Sequence, residues 1–123
     1  MTNAEFKMGL EQRTKHFAID VLNWLDSLPD RRVVSAAAYQ LAKSGTSIGA
    51  NYREANKAES KDDFSHKIGI VEKETNETVF WFEVLLESRL LSDEQKVAGQ
   101  PLHSEAVELL KLFSSISRSS RSR

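Results

Sequence analysis

A run of small residues lies inside a long helical pattern of this 123-residue chain. Residues 40–55 read Gln-Leu-Ala-Lys-Ser-Gly-Thr-Ser-Ile-Gly-Ala-Asn-Tyr-Arg-Glu-Ala, with apolar positions at helical spacing but also two glycines, two serines and a threonine. Each glycine in a helix interior costs about 1 kcal/mol relative to alanine. A helix accepts that cost where a second backbone must approach closely. The run therefore predicts a tightly packed contact surface.

Apolar residues recur at alternating steps of three and four along most of the chain. This spacing places them on one stripe of an α-helix, and no alternating strand pattern competes with it. Pro29 and Pro101, the two prolines, are typical of boundaries between helices. The pattern predicts an all-α fold with one domain over residues 1–117. We expect an antiparallel up-down-up-down four-helix bundle with helices over residues 11–28, 31–57, 61–90 and 102–117.

The segments around the last helix are expected to be less regular. Residues 99–101, Gly-Gln-Pro, should separate a short helical piece that begins after Ser92 from the last helix. Beyond Ser114 the chain is rich in serine and has almost nothing to bury, so residues 118–123 are predicted to form a flexible basic tail. Asp30 is expected to cap the second helix.

Composition narrows the class of protein. The chain has no cysteine, which excludes disulfides and thiolate metal sites. No apolar run approaches the roughly 20 residues that cross a bilayer, and residues 1–10 lack the pattern of a secretory signal. We therefore expect a cytoplasmic protein without a membrane partner. Charge is uneven: residues 1–53 have seven basic and five acidic side chains, and residues 54–113 have seven and thirteen.

Five blocks of sequence together resemble a known family. They are Arg13-Thr14-Lys15 with Phe17-Ala18, Leu28-Pro29, residues 40–55, Asp63-Phe64 with Lys67, and Lys73-Glu74 with Glu77-Thr78 and Trp81. In this order, over roughly residues 6–115, they are similar to the bacterial four-helix bundle proteins, also called S23 or 23S rRNA-intervening-sequence proteins. The resemblance implies a bundle that assembles into a ring of five.

The resemblance also implies two kinds of partner. Some relatives are encoded inside insertions in large-subunit rRNA genes. Others are accessory proteins of diversity-generating retroelements, which bind a reverse transcriptase and nucleic acid. The accessory proteins are strongly basic, whereas residues 1–113 of this chain have a net charge of -4. That difference weakens the analogy with the accessory group.

Polar residues on the second and third helices are candidates for a shared network. Glu74, Glu77 and Trp81 are three and four apart and so lie on one helix face. We expect them to meet polar residues of the second helix: Ser44, Ser47, Asn51, Arg53 and Glu54. A carboxylate pair with an activating arginine would be catalytic, but such networks more often fix helix register or subunit contacts.

Gly45 and Gly49 share one face of the second helix because they are four residues apart. One interpretation is a phosphate or ligand that approaches the backbone. Phosphate sites, however, use glycines in a loop before a helix, where the N–H groups are free. Here the N–H groups are used within the helix, so we predict close packing against another helix or subunit.

Motifs for catalysis and metal binding are missing from the sequence. A di-metal bundle needs Glu-x-x-His on two helices, and this chain has a single Asp63-x-x-His66. His16 and His103 have no carboxylate three residues before them, and no Arg-x4–6-His motif of a helical-bundle ribonuclease is present. We expect no enzyme, no catalytic residue, no cofactor and no metal. An accessible, strongly perturbed Glu74 or Glu77 would be needed for any enzymatic role.

Two functional hypotheses follow. The first is a non-catalytic homopentameric interaction protein associated with 23S rRNA or other structured RNA. Its candidate phosphate contacts are the basic residues Arg13, Lys15, Lys43, Arg53, Arg118, Arg121 and Arg123. Trp24, Tyr52 or Trp81 could stack on bases, but a role in the core or an interface is the favoured interpretation of these aromatic residues. The second is a protein-only scaffold that binds a reverse transcriptase or another protein without contacting nucleic acid. The acidic balance of residues 54–113 favours the scaffold.

Overall fold

Four α-helices make up the protein in a computed structural model that describes residues 1–122; within these residues there is no strand. They are α1 (Asn3–Asp26), α2 (Arg32–Ala55), α3 (Lys61–Glu87) and α4 (Asp93–Arg121). Each helix packs against the next, and α1 also packs against α4, whereas over the described length no Cα atoms of α1 and α3 lie within 8 Å of each other. These two helices meet through side chains such as Trp24 and Phe82. This arrangement is an antiparallel four-helix bundle with α1 and α3 at opposite corners. The predicted fold class is confirmed.

The core is one apolar cluster to which all four helices contribute. Its fully buried members follow the predicted stripes and include Val21, Leu41, Ile48, Ile68, Val71, Leu85 and Leu109. Two aromatic pairs extend it, Trp24 with Phe82 at a ring-centroid distance of 5.5 Å and Tyr52 with Phe113 at 5.3 Å. Burial of each large side chain stabilises the fold by about 1.5–3 kcal/mol. None of the helices within residues 1–122 carries an apolar stretch that would span a bilayer.

Three helices begin at a hydroxyl-bearing cap. The side-chain oxygens of Thr2, Ser60 and Ser92 each accept a hydrogen bond from the backbone N–H three residues later, at 3.0–3.1 Å. Helix α1 begins well before the predicted residue 11, because the Thr2 cap satisfies the free backbone N–H groups at the helix start. The apolar stripe alone does not show where such a cap lies. At α2 the N-cap is Arg31, with no side-chain cap bond, so the expected cap at Asp30 is wrong.

Helix α4 is continuous, where the sequence predicts a break at residues 99–101. Gly99 is buried against α1, and a Cβ at this position would lie 2.5 Å from Trp24 Cζ2. The glycine therefore permits close packing and does not end a helix. Pro101 is exposed inside the helix, which continues past it although proline lacks the N–H for one intrahelical bond. The indole Nε1 of Trp24 also donates to the Gln95 carbonyl at 2.9 Å, which ties the start of α4 to α1.

Helix α4 also runs beyond residue 117, into the segment predicted to be a flexible tail. Ser117 is fully buried, and the Ser120 hydroxyl donates to Ser65 Oγ of α3 at 3.1 Å. Serine side chains are small, so α4 approaches α3 closely along a segment whose composition resembles a disordered one. Residues 118–121 are helical. The predicted contact Arg123 lies outside the described residues.

Candidate nucleic-acid interface

The small residues of α2 face α1 at close range. A Cβ at Gly49 would lie 3.1 Å from Thr14 Oγ1 and 3.3 Å from the Thr14 carbonyl carbon, and a Cβ at Gly45 would lie 3.3 Å from Val21 Cγ1. Thr14 is itself fully buried, and its hydroxyl donates to the Leu10 carbonyl at 2.9 Å. Both glycines thus lie at a contact between two helices of the same chain. Thr14 belongs to one of the sequence blocks that resemble the family, but its contact with Gly49 was not predicted.

A groove of about 220 Å³ lies over this contact, between α1 and α2. We call it the α1–α2 groove; its lining residues are Glu11, Thr14, Lys15, Ala18, Thr46, Gly49, Ala50 and Arg53. Two of the predicted phosphate contacts, Lys15 and Arg53, therefore face one groove from different helices. Of the two small residues of α2 in this lining, Ala50 is exposed, whereas Gly49 is buried against Thr14.

One carboxylate, that of Glu11, moderates the charge of the groove. Arg53 Nε lies 3.8 Å from Glu11 Oε1, and Glu11 Oε2 accepts a hydrogen bond from Asn56 Nδ2 at 2.9 Å. The Arg53 side chain is 50% exposed, so this long ion pair contributes less than about 1 kcal/mol. Lys15 is exposed and has no ion pair in the part of the chain that the structure describes. Both cations can therefore take a new anionic partner at small cost.

Arg13 faces α4 instead of the α1–α2 groove. Its Nε and Nη2 donate to the two carboxylate oxygens of Glu105 at 2.7 and 2.8 Å. These hydrogen bonds raise the pKa of Arg13, against partial burial, and the charge of Glu105 adds to the increase. Arg13 thus joins α1 to α4 through a bidentate contact. Its guanidinium is occupied within the bundle, unlike the side chains of Lys15 and Arg53.

The other predicted contacts lie at different places on the surface. Lys43 is exposed on α2, ten residues before Arg53, which corresponds to about 15 Å along the helix axis. Arg118 is exposed near the end of α4. Arg121 Nη1 donates to Ser117 Oγ at 2.8 Å, and its side chain lines a separate depression beside α3. The structure therefore groups Lys15 with Arg53 and leaves the other cations apart.

Within the described chain, the predicted polar network between α2 and α3 does not form. The Ser44 and Ser47 hydroxyls donate to carbonyls of their own helix at 3.4 and 2.5 Å, and Asn51 Nδ2 donates to the Ser47 carbonyl at 2.8 Å. Such bonds to the preceding turn satisfy these side chains locally. In residues 1–122, no hydrogen bond or ion pair joins α2 to the other predicted members on α3, Glu74, Glu77 and Trp81. Glu54 is exposed.

Exposed apolar side chains form a further surface feature, which the stripe analysis missed. On α3, Phe80 is 53% exposed and Val84 lies four residues further on the same face. On the α1 and α2 side, Leu22 is exposed and Tyr39 is 66% exposed. Helices α1 and α3 occupy opposite corners of the bundle; we call Phe80 and Val84 the α3 patch and Leu22 and Tyr39 the α1–α2 patch. Their position outside the core stripe is the signal by which the sequence could have revealed them.

The histidines and carboxylates do not assemble into a metal site. No group of three or more potential ligands occurs in residues 1–122. His16 and His66 are exposed, and His103 Nε2 lies 3.5 Å from Glu83 Oε2 across α3 and α4. The histidines are thus separated from one another on three different helices.

Comparison with known proteins bears directly on this arrangement. The profile of the 23S rRNA-intervening sequence protein family matches residues 7–115. The chain belongs to this family. The match extends from α1 into α4 and includes both cations of the α1–α2 groove, and it confirms the resemblance drawn from the sequence blocks.

A solved member of the S23 ribosomal protein family has a similar fold. It is a protein with unknown function from Bacteroides thetaiotaomicron VPI-5482, whose crystal structure was determined at 1.70 Å. The two chains share 33% identity with a TM-score of 0.78, over 91% of this chain and 97% of that chain. No curated protein matches this member of the 23S rRNA-intervening sequence protein family at a significant level.

Proposed function

We propose that this protein is a non-catalytic, homo-oligomeric interaction protein that binds structured RNA, such as 23S rRNA, through the α1–α2 groove. The observation that carries the proposal is the position of Lys15 and Arg53 on either side of a groove floored by Gly49 and Ala50. The family name, which refers to sequences that interrupt 23S rRNA, supports RNA as the ligand.

The chemistry of the groove suits a phosphate. Lys15 supplies a mobile ammonium group, and Arg53 supplies a planar guanidinium that can bind two phosphate oxygens. The exposed Ala50 adds little bulk to the groove, so a backbone phosphate can approach the two cations. Each neutralised phosphate releases condensed counterions, which favours binding most at low salt. Lys43, which lies apart from the groove on the same helix as Arg53, is the candidate contact for a neighbouring phosphate.

Self-association follows from the two apolar patches. A two-fold axis brings a patch against its own copy on the partner. A single two-fold contact therefore cannot bury two patches that lie on opposite corners of the bundle. They fit a head-to-tail contact, in which Phe80 and Val84 of one copy meet Leu22 and Tyr39 of the next. A head-to-tail contact closes into a ring when the rotation between neighbouring copies divides a full turn, and we propose a ring of five. The ring would repeat the α1–α2 groove around its circumference.

RNA titration with paired variants tests the groove. We expect Lys15→Gln/Arg53→Gln to weaken binding to a labelled structured rRNA fragment and to lower the slope of log Kd against log salt by about 1–2. The control Arg31→Gln/Arg32→Gln removes the same charge from exposed positions at the start of α2. Equal losses in the two variants would contradict a specific role for the groove.

A third variant tests the arginines of α4. Arg118→Gln/Arg121→Gln is preferable to truncation after residue 113, because truncation would also remove the buried Ser117 and the core contact of Ile116. If this variant loses affinity and Lys15→Gln/Arg53→Gln does not, the phosphate contacts lie at the end of α4 instead.

The alternative function is a protein-only scaffold that binds a reverse transcriptase or another protein. The acidic balance of residues 54–113 and the exposed Phe80 and Val84 favour it. No RNA binding even at low salt would support the scaffold. A neighbouring reverse transcriptase gene with a repeat pair would do the same, whereas location inside an rRNA gene would support RNA association.

A further inference from the structure

A second cavity, of about 340 Å³, opens at the end of the bundle where α1 begins and α2 ends. Its walls include the rings of Phe6 and Phe64 and the side chain of Ile116, and its polar groups include Tyr52 and Asn56. Lys7 is also part of its lining. The size lies in the range of small-molecule sites, as does the combination of apolar walls with a few polar groups.

Asn56, one of the residues that line this cavity, carries a buried acceptor without a partner. Its Oδ1 is buried and has no hydrogen-bond partner among the described residues, while its Nδ2 donates to Glu11 Oε2 at 2.9 Å. Because a carboxylate can only accept from the amide nitrogen, this bond fixes which end of the amide remains free. A buried carbonyl oxygen without a partner carries an energetic cost, because it has lost its hydrogen bonds to water. A ligand N–H at this point would remove that cost.

Tyr52 adds a second polar group to the floor of the cavity. Burial raises the pKa of the Tyr52 phenol, the nearby Asn56 amide opposes this increase, and the charge of Glu11 adds to it. The hydroxyl is therefore protonated at neutral pH and able to donate or accept a hydrogen bond. Tyr52 is 2% exposed and its ring packs on Phe113, so its position is fixed by the core.

Phe6 and Lys7 lie at the accessible side of the cavity. Phe6 is 40% exposed, and aromatic faces of this kind stack favourably on the flat rings of bases. Lys7 takes part in no ion pair over residues 1–122 and is available to an anion. A flat, nitrogen-containing, anionic ligand would match these features, because it could stack on the aromatic walls, donate an N–H to the acceptor and pair with the cation.

We propose that this cavity binds the base of a nucleotide, with a base N–H donating to Asn56 Oδ1 and the phosphate at Lys7. The base is either that of a free nucleoside monophosphate or one that is unstacked from bound RNA; only the second source rests on the proposed function. The recognition chemistry is the same for both sources.

Titration of the four nucleoside 5′-monophosphates into 15N-labelled full-length protein tests the proposal. We expect at least one to shift the amide resonances of Asn56 and Phe64, and ribose 5-phosphate, which lacks a base, to leave them in place. Phe6→Ala should raise the Kd at least tenfold. Met8→Ala, which truncates a 65% exposed apolar side chain of the same helix outside the cavity, should leave the Kd unchanged.

Three results would overturn the proposal: no shifts at millimolar nucleotide, identical shifts with ribose 5-phosphate, or equal losses in Phe6→Ala and Met8→Ala. Lys7→Gln provides a further check, because it should weaken the monophosphate and not the uncharged nucleoside. Circular dichroism of each variant verifies that the bundle is folded.

The variant Lys15→Gln/Arg53→Gln separates this proposal from the proposed function. We expect it to weaken RNA binding and to leave the mononucleotide Kd unchanged. RNA-induced shifts at Asn56 and Phe64 that disappear in Phe6→Ala would identify RNA as the source of the base. Mononucleotide binding without such RNA-induced shifts would identify a free nucleotide as the source of the base. RNA binding without any mononucleotide binding would overturn the cavity proposal alone.

Discussion

At Gly99 the approach of α4 to α1 depends on the absence of a side chain. A Cβ there would lie 2.5 Å from Trp24 Cζ2 and 2.8 Å from Trp24 Cε2, within a rigid indole ring, and 3.1 Å from Leu86 Cδ2. The indole is held in turn by its hydrogen bond to the Gln95 carbonyl. Neither group can move aside without loss of packing, so the position tolerates glycine alone.

Replacement of this glycine should therefore destabilise the bundle although alanine is the better helix former. We expect Gly99→Ala to lower the free energy of unfolding by about 1–3 kcal/mol. The matched control is Gly69→Ala in α3, where an added Cβ meets nothing within 4 Å, and it should stabilise by about 0.5–1 kcal/mol. Urea unfolding measures both. Stabilisation by Gly99→Ala would show that the close approach to Trp24 is incorrect.

The role of Gly99 could not be predicted from the sequence. Glycine and proline two residues apart are local signals for a break, and the contact that gives Gly99 its role involves a residue 75 positions earlier in the chain. The same is true of Ser117, whose burial against neighbouring helices has no local signature. By contrast, the core positions of Leu41 and Ile48 follow from spacing alone, since every amphipathic helix must bury its apolar stripe.

At the scale of helices, the junction between α2 and α3 depends on one carboxylate. Asp63 Oδ2 accepts hydrogen bonds from the Glu59 backbone N–H at 3.1 Å and from Lys67 Nζ at 3.0 Å. The Glu59 N–H and then Lys67 lower the pKa of Asp63, with smaller effects from the Lys67 and His66 charges and an opposing effect of burial. The charged form is thus the one that the folded state favours.

This preference predicts a pH-dependent contribution to stability. Because the folded-state pKa of Asp63 is lowered, its stabilisation is present above the ordinary carboxyl pKa of about 4 and is lost as the pH falls through the folded value. We expect Asp63→Asn to have a lower Tm than the wild type at pH 7 and the same Tm near pH 2. The neighbouring Asp62→Asn controls for charge at the start of α3. A Tm difference for Asp63→Asn that persists unchanged at low pH would exclude this role.

Between helices, the sequence predicted the candidate site only in part. Lys15 and Arg53 were predicted to be contacts, and the structure places them in one groove because Gly49 brings α2 against Thr14. The sequence could not reveal that Arg13, two residues before Lys15, faces Glu105 on α4. Neighbouring residues of a helix point about 100° apart, so partners are determined by the packing of distant segments.

At the scale of the whole molecule, two apolar patches on opposite corners predict a head-to-tail assembly. We expect Phe80→Glu and Leu22→Glu each to convert the proposed oligomer to monomers, because each would place a charge in the proposed contact between copies. The control Val97→Glu, at an exposed apolar position of α4, should leave the assembly intact. Size-exclusion chromatography with light scattering measures the mass.

Mixing the two variants tests the polarity of the contact. Each variant retains one intact patch, the α3 patch in Leu22→Glu and the α1–α2 patch in Phe80→Glu, so an equimolar mixture should form dimers and no larger species. Homodimers in either variant alone would indicate a two-fold contact and would contradict the ring.

Chemical-shift mapping of the protein with a structured rRNA fragment at two salt concentrations tests the central claim most directly. RNA association through the α1–α2 groove predicts salt-sensitive shifts centred on Lys15, Gly49, Ala50 and Arg53. In Lys15→Gln/Arg53→Gln, the resonances of Gly49 and Ala50 should remain unperturbed by RNA. Shifts confined to α3, or no shifts at low salt, would contradict it.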